Sequence, residues 1–131
     1  MEEKPVILCD TDVIIEFYRN NSKIVRELKH IGQERLSISI ITYAELIYGA
    51  FNKREQIQIK KDISSLNLIM IDLPISLEFM KLMERYSLGH KISVPDALIA
   101  ATAIENKLKL FTLNNKDFRY IEGLALYHHD S

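Results

Sequence analysis

The chain has 131 residues, 47% of them hydrophobic and 27% charged, with a formal net charge of -1 at pH 7. That composition excludes a disordered or collagen-like chain, and the single cysteine excludes a disulfide-stapled scaffold. The near-neutral charge argues against the broad basic face by which general nucleic-acid binders release counterions from phosphate, so any contact with a polynucleotide rests on local patches such as Lys53-Arg54, Lys60-Lys61 and His90-Lys91.

A chain of this length buries about two-thirds of its unfolded surface, so one domain over residues 1–131 is expected to hold a core without disulfides or structural metal. Cys9 sits in an apolar run and reads as a small core residue rather than a nucleophile, which fits a reducing cytoplasm. The opening Met1-Glu2-Glu3-Lys4-Pro5 has the wrong charge for a secretory signal, and no uncharged run exceeds nine residues, too short to span a membrane.

Val6-Ile7-Leu8-Cys9 is too short for a helix and too apolar for a half-exposed strand, so it predicts a buried strand of a parallel sheet that stops on Asp10-Thr11-Asp12. Apolar residues at helical spacing predict helices over Asp12 to Arg19 and Ser22 to Ile31, the second closed by Gly32. Leu36 to Ile41 alternates and is rich in β-branched residues, which predicts a second strand ending at Thr42. Thr42-Tyr43-Ala44-Glu45 then opens a helix, and Lys53 to Ser65 continues the helical region.

Leu68 to Ile71 predicts a third strand, terminated by Asp72-Leu73-Pro74. A helix follows with Leu77, Met80, Leu82, Met83 and Tyr86 as its apolar residues and Gly89 at its end. The segment Asp96 to Ile104 is apolar nearly all round and must form a buried helix. Lys109 to Thr112 predicts a fourth strand, Asn114 to Tyr120 a short turn or helix, and Leu124 to Tyr127 a last strand. Strands alternating with helices imply an α/β fold with a parallel sheet of four or five strands covered on both faces.

The acids fall at element starts: Asp10 and Asp12 after the first strand, Glu45 after the second, Asp96 opening the buried helix, and Asp117 after the fourth strand. Each has a local explanation. Asp10 or Thr11 is a favoured helix cap, Thr42-x-x-Glu45 has the spacing of a capping box, and Ser93-x-x-Asp96 with Pro95 in the first turn nearly does. The conjunction points further, because three strands and the buried helix deliver acids to one edge of the sheet, where open α/β folds bind their ligands. Carboxylates gathered there repel one another unless a cation intervenes, and hard oxygen donors select Mg²⁺ or Mn²⁺.

With those residues in view the chain resembles a PIN-domain ribonuclease, of the small kind found as the toxin of VapBC toxin–antitoxin pairs. The resemblance covers essentially the whole chain. It rests on Leu8-Cys9-Asp10-Thr11-Asp12, on Thr42-Tyr43-Ala44-Glu45-Leu46-Ile47-Tyr48-Gly49, on Asp96 to Ala103, and on Thr112-Leu113-Asn114-Asn115-Lys116-Asp117-Phe118. The chain departs from the family pattern at Ser93-Val94-Pro95, where many relatives carry a further acid, and at Asn114, where many carry Asp; the number of direct metal ligands is therefore open.

The resemblance implies a Rossmann-like α/β/α sandwich and cleavage of RNA with Mg²⁺, Mn²⁺ substituting, until a cognate antitoxin occupies the site. In that reading Asp10 and Asp96 hold the metal, Glu45 binds it or orients the attacking water, and Asp117 with Asn114 completes an acidic floor, supported by Thr11, Asp12 and Thr112. It also implies homodimerisation and antitoxin binding through apolar residues around Tyr48 and Phe51. Two other readings fit parts of the sequence. Asp10-Thr11-Asp12 approaches the opening of haloacid-dehalogenase-type phosphatases, though no later Asp-Asp pair follows, and a receiver-type signalling domain would use Asp72 as phosphoacceptor but leaves Glu45 and Asp96 without a role.

Overall fold

Parallel strands cannot be joined by a tight turn, so each must be followed by a helical crossover before the chain returns to the sheet. The computed structural model describes residues 5–128 and follows that rule; the opening Met1 to Lys4 lies outside the described residues. The elements are β1 (Ile7–Cys9), α1 (Thr11–Tyr18), α2 (Ser22–Ile31), β2 (Leu36–Ser39), α3 (Ile40–Tyr48), α4 (Lys53–Ile63), β3 (Asn67–Ile69), α5 (Leu73–His90), α6 (Val94–Glu105) and β4 (Lys109–Phe111), with short 3₁₀ turns at Gln33–Arg35 and Asn115–Asp117. The sheet has four parallel strands in the order β3-β2-β1-β4. Among the described residues no helix is long and apolar enough to cross a membrane.

Alternation along the central strands divides the core into two layers. Leu8 and Leu110 face α5 and α6, packing with Ile75, Leu82, Ile99 and Phe118. Ile7, Cys9, Ile38 and Phe111 face the opposite layer, with Val13, Ile24, Leu28, Leu46 and Ile63 from α1 to α4. Both faces of the sheet are therefore covered, and every residue of β2 is buried, the two serines included. Ser37 meets the requirement of a buried hydroxyl by donating to the Ile7 carbonyl at 2.8 Å.

The structure corrects four local expectations. β2 stops at Ser39, and Ile40 and Ile41 begin α3 in spite of their β-branched side chains, because the Ser39 hydroxyl caps the helix by accepting from the Thr42 amide at 3.1 Å. Thr42 is thus a first-turn residue, and Thr42-x-x-Glu45 is not a capping box. α5 runs through Gly89 to His90 and ends on Lys91, which takes the left-handed conformation (φ 55°) that a C-terminal glycine usually supplies. Within α5 the buried positions are Ile75, Leu82 and Tyr86, while Leu77 and Met80 are exposed.

The fourth correction is the expected last strand. Leu124 to Tyr127 contributes only an isolated bridge, in which the Leu110 amide donates to Ala125 and the Tyr127 amide donates back to Leu110. Among the described residues the sheet therefore has four strands. α6 starts two residues earlier than its apolar run because Ser93 caps it and Pro95 is tolerated in the first turn, where no amide hydrogen is needed.

Candidate active site

β1 ends at Cys9 and α1 starts at Thr11, so Asp10 occupies the joint between them at the carboxyl edge of the sheet. It is only 7% exposed. One carboxylate oxygen accepts from the Thr11 amide at 2.8 Å and the other from the Thr112 hydroxyl at 2.8 Å, while its own amide donates to Phe111 at 2.9 Å. Capping and site placement are the same geometry here, since the bonds that cap α1 also hold the carboxylate at the end of β1. Thr112, fully buried after β4, in turn accepts from the Asn114 amide at 3.1 Å.

Asp12 lies one residue inside α1 and reaches across to the loop after β4. Its Oδ2 accepts from the Leu113 amide and from Asn114 Nδ2, both at 3.1 Å. Its Oδ1 is buried and has no hydrogen-bond partner. Such an atom is costly, because a carboxylate oxygen withdrawn from water and left unpaired loses its hydration without replacement.

Glu45 enters from α3 and is held by Thr11, whose hydroxyl is 2.7 Å from Glu45 Oε1 and 3.0 Å from Thr42 Oγ1. With a single proton to give, Thr11 serves the carboxylate. Because Ser39 starts α3 earlier than the sequence pattern implied, Glu45 sits in the second turn and points back at α1 rather than at its own helix end. Asp96 is half-buried in the first turn of α6, where the Ser93 hydroxyl accepts from its amide at 3.2 Å and leaves its carboxylate to the site. Asp117 is exposed on the Asn115–Asp117 turn.

The charges of these groups oppose one another. Burial raises the Asp12 carboxyl to about 7, with the charges of Asp10 and then Asp96 adding to the rise and the nearby Leu113 and Val13 amides working against it. Burial likewise raises Asp96 to about 6, reinforced by Asp10, Asp117 and Glu45. Asp10 is also raised, by burial first and then by Glu45 and Asp117, against the lowering effect of its bonds to Thr112 and Thr11. The Cys9 thiol beneath them is pushed up to about 12 by burial and by Asp10 and Asp12, so it stays protonated and is no nucleophile.

All the sequence-selected residues are thus at one edge: Asp10, Thr11, Asp12, Glu45, Asp96, Thr112, Asn114 and Asp117. Among the described residues no three His, Cys, Asp or Glu side chains form a preformed metal cage. The donor set nevertheless fits a small hard cation. Mg²⁺ is usually held by one or two carboxylates and keeps several waters, so it does not require a closed protein cage. The unpartnered Asp12 oxygen and the mutually raised carboxyls are the features such a cation relieves.

Sequence reasoning gives Asp12 a supporting place; the structure adds that one of its carboxylate oxygens is buried and unpaired. The signal was the Asp-x-Asp spacing at a strand end. The sequence pattern gives Ser39 and Thr42 only strand and cap places; nothing local to them shows that their hydroxyls line up behind Thr11, which holds Glu45. Asp72, the phosphoacceptor of the receiver reading, is committed to capping α5 through the Ile75 amide at 3.0 Å.

Thr11→Val keeps the shape of the residue and removes the hydroxyl that holds Glu45. If Glu45 acts in the RNA cleavage that the resemblance implies, the expected result is a loss of rate of roughly 10–100-fold, typical of removing a group that orients a catalytic one, with an unchanged melting temperature and substantial recovery in Thr11→Ser. Full activity in Thr11→Val, measured as initial rates on RNA, would show that Glu45 needs no such support.

Compared with known proteins, residues 7–124 match the PIN domain. The chain is 34% identical over 131 residues to the ribonuclease VapC1 of Methanocaldococcus jannaschii, covering 96% of this chain and 90% of that relative. It is 27% identical to the tRNA(fMet)-specific endonuclease VapC of Shigella flexneri, over 89% of this chain and 92% of that one. Among solved structures, a toxin–antitoxin complex from Klebsiella pneumoniae aligns with a TM-score of 0.78 and 29% identity, covering 95% of this chain and 99% of that chain.

Proposed function

The chain belongs to the PIN-domain family, and from that premise we propose that it is a divalent-metal-dependent endoribonuclease, using Mg²⁺ with Mn²⁺ able to substitute, and the toxin of a toxin–antitoxin pair. The relatives support this reading by what they are: a ribonuclease, a tRNA-specific endonuclease, and a toxin in complex with its antitoxin. The observation that carries it is the buried, unpaired Asp12 oxygen within a group of carboxylates whose charges oppose one another.

In this reading Asp10, Asp12 and Asp96 hold the ion with Glu45 beside it, and Asn114 and Asp117 complete the floor. A bound divalent cation lowers the pKa of its water and offsets the charge that develops on the phosphate. The chain's own residues supply orientation. Thr112 and the Thr11 amide fix both oxygens of Asp10, and Asn114 turns Asp12. Thr11 occupies Oε1 of Glu45, which leaves Oε2 to take the proton of the attacking water.

The partners are RNA, a cognate antitoxin and a second copy of the chain, in the cytoplasm. Tyr48, the last residue of α3, and Phe51, on the connection to α4, are 93% and 88% exposed and offer the apolar surface such partners need. The test is incubation of the purified protein with RNA in Mg²⁺, in Mn²⁺ and in EDTA. Cleavage is expected with either cation and not in EDTA; equal cleavage in all three sinks the metal-dependent reading.

A further inference from the structure

Three aromatic rings pile up at the C-terminal end of α5. His90, the last residue of α5, lies flat on Tyr120 with ring centroids 3.9 Å apart and planes 4° from parallel. Tyr86 meets both edge-on, at 5.7 Å from His90 and 5.1 Å from Tyr120. The pile is anchored from below. Tyr86 is buried, its hydroxyl accepts from the Glu122 amide at 3.0 Å, and Arg85 both covers its ring at 5.3 Å and pairs with Glu122 at 2.6 Å.

Exposure increases outward through the pile: Tyr86 is buried, Tyr120 intermediate and His90 exposed. One face of the imidazole is covered by Tyr120 and one edge by Tyr86, which leaves the outer face to solvent. A ring stacked this way is already ordered, so a further flat group can join it without the cost of immobilising a free side chain. The three-residue connection Lys91-Ile92-Ser93 ties His90 to the start of α6, which carries Asp96, and Tyr120 follows Asp117 by three residues. The Tyr120 hydroxyl is raised by burial and then by the charges of Asp96 and Asp117, so its ring stands within electrostatic reach of both acids. Lys91, Lys116 and Arg119 are exposed on the same segments.

We propose that the His90–Tyr120 stack is a nucleobase platform, on which the exposed face of His90 holds an unpaired base of the RNA next to the bond being cut. The proposal rests on the ribonuclease reading above and adds a subsite to it. Single-stranded and looped RNA is recognised largely by stacking its splayed bases on aromatic side chains, and such stacking tolerates any base because each has a π face. An acidic site cannot attract a polyanion by itself. A stacking surface with lysine and arginine around it supplies attraction that the carboxylates do not.

The test compares wild type with His90→Ala, His90→Trp and Tyr120→Phe in steady-state cleavage of a bulk tRNA preparation in Mg²⁺ and in Mn²⁺, with melting temperatures of all four. His90→Ala is expected to raise KM roughly 5- to 100-fold, the range for losing one base–aromatic stack, with kcat little changed. His90→Trp and Tyr120→Phe keep a flat ring and should stay near wild type. If His90→Ala cleaves like wild type, or if His90→Trp is as impaired as His90→Ala, the platform is wrong. If the stack only braces the chain, His90→Ala lowers the melting temperature without moving KM. Wild type that cuts no RNA in either cation removes the ribonuclease premise and the platform with it, an outcome distinct from active wild type with an equally active His90→Ala.

Discussion

Replacing Asp10 or Asp96 by Asn is expected to cost far more than 100-fold in RNA cleavage while the protein still folds. Changes to groups that only orient a metal-binding or catalytic residue typically cost 10–100-fold, so a loss beyond about 100-fold marks direct participation. The two positions separate structural from chemical roles cleanly. Asn caps a helix about as well as Asp, and its side-chain oxygen can still accept from the Thr11 amide or the Thr112 hydroxyl that Asp10 engages. At Asp96 the cap is Ser93, so the carboxylate is not needed for the helix start at all. Circular dichroism spectra should therefore match wild type and melting should stay cooperative, while single-turnover rates collapse. A variant that unfolds, or one that folds and retains a tenth of the wild-type rate, would contradict this assignment.

The second large effect is on stability, and its sign follows from the raised carboxyls. The Asp12 carboxyl is at about 7 in the fold and near 3.8 when unfolded, so between those values the folded protein holds a proton that the unfolded chain releases. Asp96 behaves the same way between 3.8 and about 6. Their stabilising contribution is complete below pH 3.8, declines as pH rises, and is gone above about 7. A rise from 3.8 to about 7 corresponds to about 4 kcal/mol at 1.36 kcal/mol per unit, an upper figure that solvent and counterions reduce.

In EDTA, wild type should accordingly melt lower at pH 8 than at pH 5.5, and Asp12→Asn and Asp96→Asn, which cannot ionise there, should melt progressively higher than wild type as pH increases. The helix dipole opposes this at Asp96, favouring its charged form by about 0.3–1 kcal/mol. That effect is smaller than the burial, reinforced by neighbouring charge, that raises Asp96 to about 6, and it does not reverse the sign. Mg²⁺ binds the ionised site and should raise the melting temperature of wild type at pH 8 more than that of either variant, by ligand linkage. A difference between wild type and variants that stays flat with pH, together with no response to Mg²⁺, would overturn the reading of the site as a mutually repelling group of acids.

Much of the architecture is a local property of the chain. Ile7, Leu8 and Cys9 form a buried strand because a short wholly apolar run has no other stable place, and the residues from Asp96 to Ile104 form a buried helix because no side of them is polar. Two such signals at the right spacing, each bearing an acid, were enough to place Asp10 and Asp96 at one edge of a parallel sheet. Element ends were less legible. Whether Ile40 and Ile41 extend β2 or start α3 depends on Ser39 reaching the Thr42 amide, and whether α5 stops at Gly89 depends on Lys91 accepting a left-handed conformation. Both are differences of about a kcal/mol that propensity cannot resolve.

What only the tertiary structure decided are the contacts between residues far apart in the chain. Asp12 meets Leu113 and Asn114 across about 100 positions, Glu45 meets Thr11 across 34, and Tyr120 lies on His90 at the end of another helix. No periodicity records such pairs. The sequence determined by itself that the acids share an edge, because parallel strands all end at the same edge of a sheet and helix burial follows from apolar pattern. Which oxygen is left unpaired, which hydroxyl holds which carboxylate, and which ring is left open to solvent depend on packing between elements, since each is settled by groups brought within about 3 Å only when both layers close on the sheet.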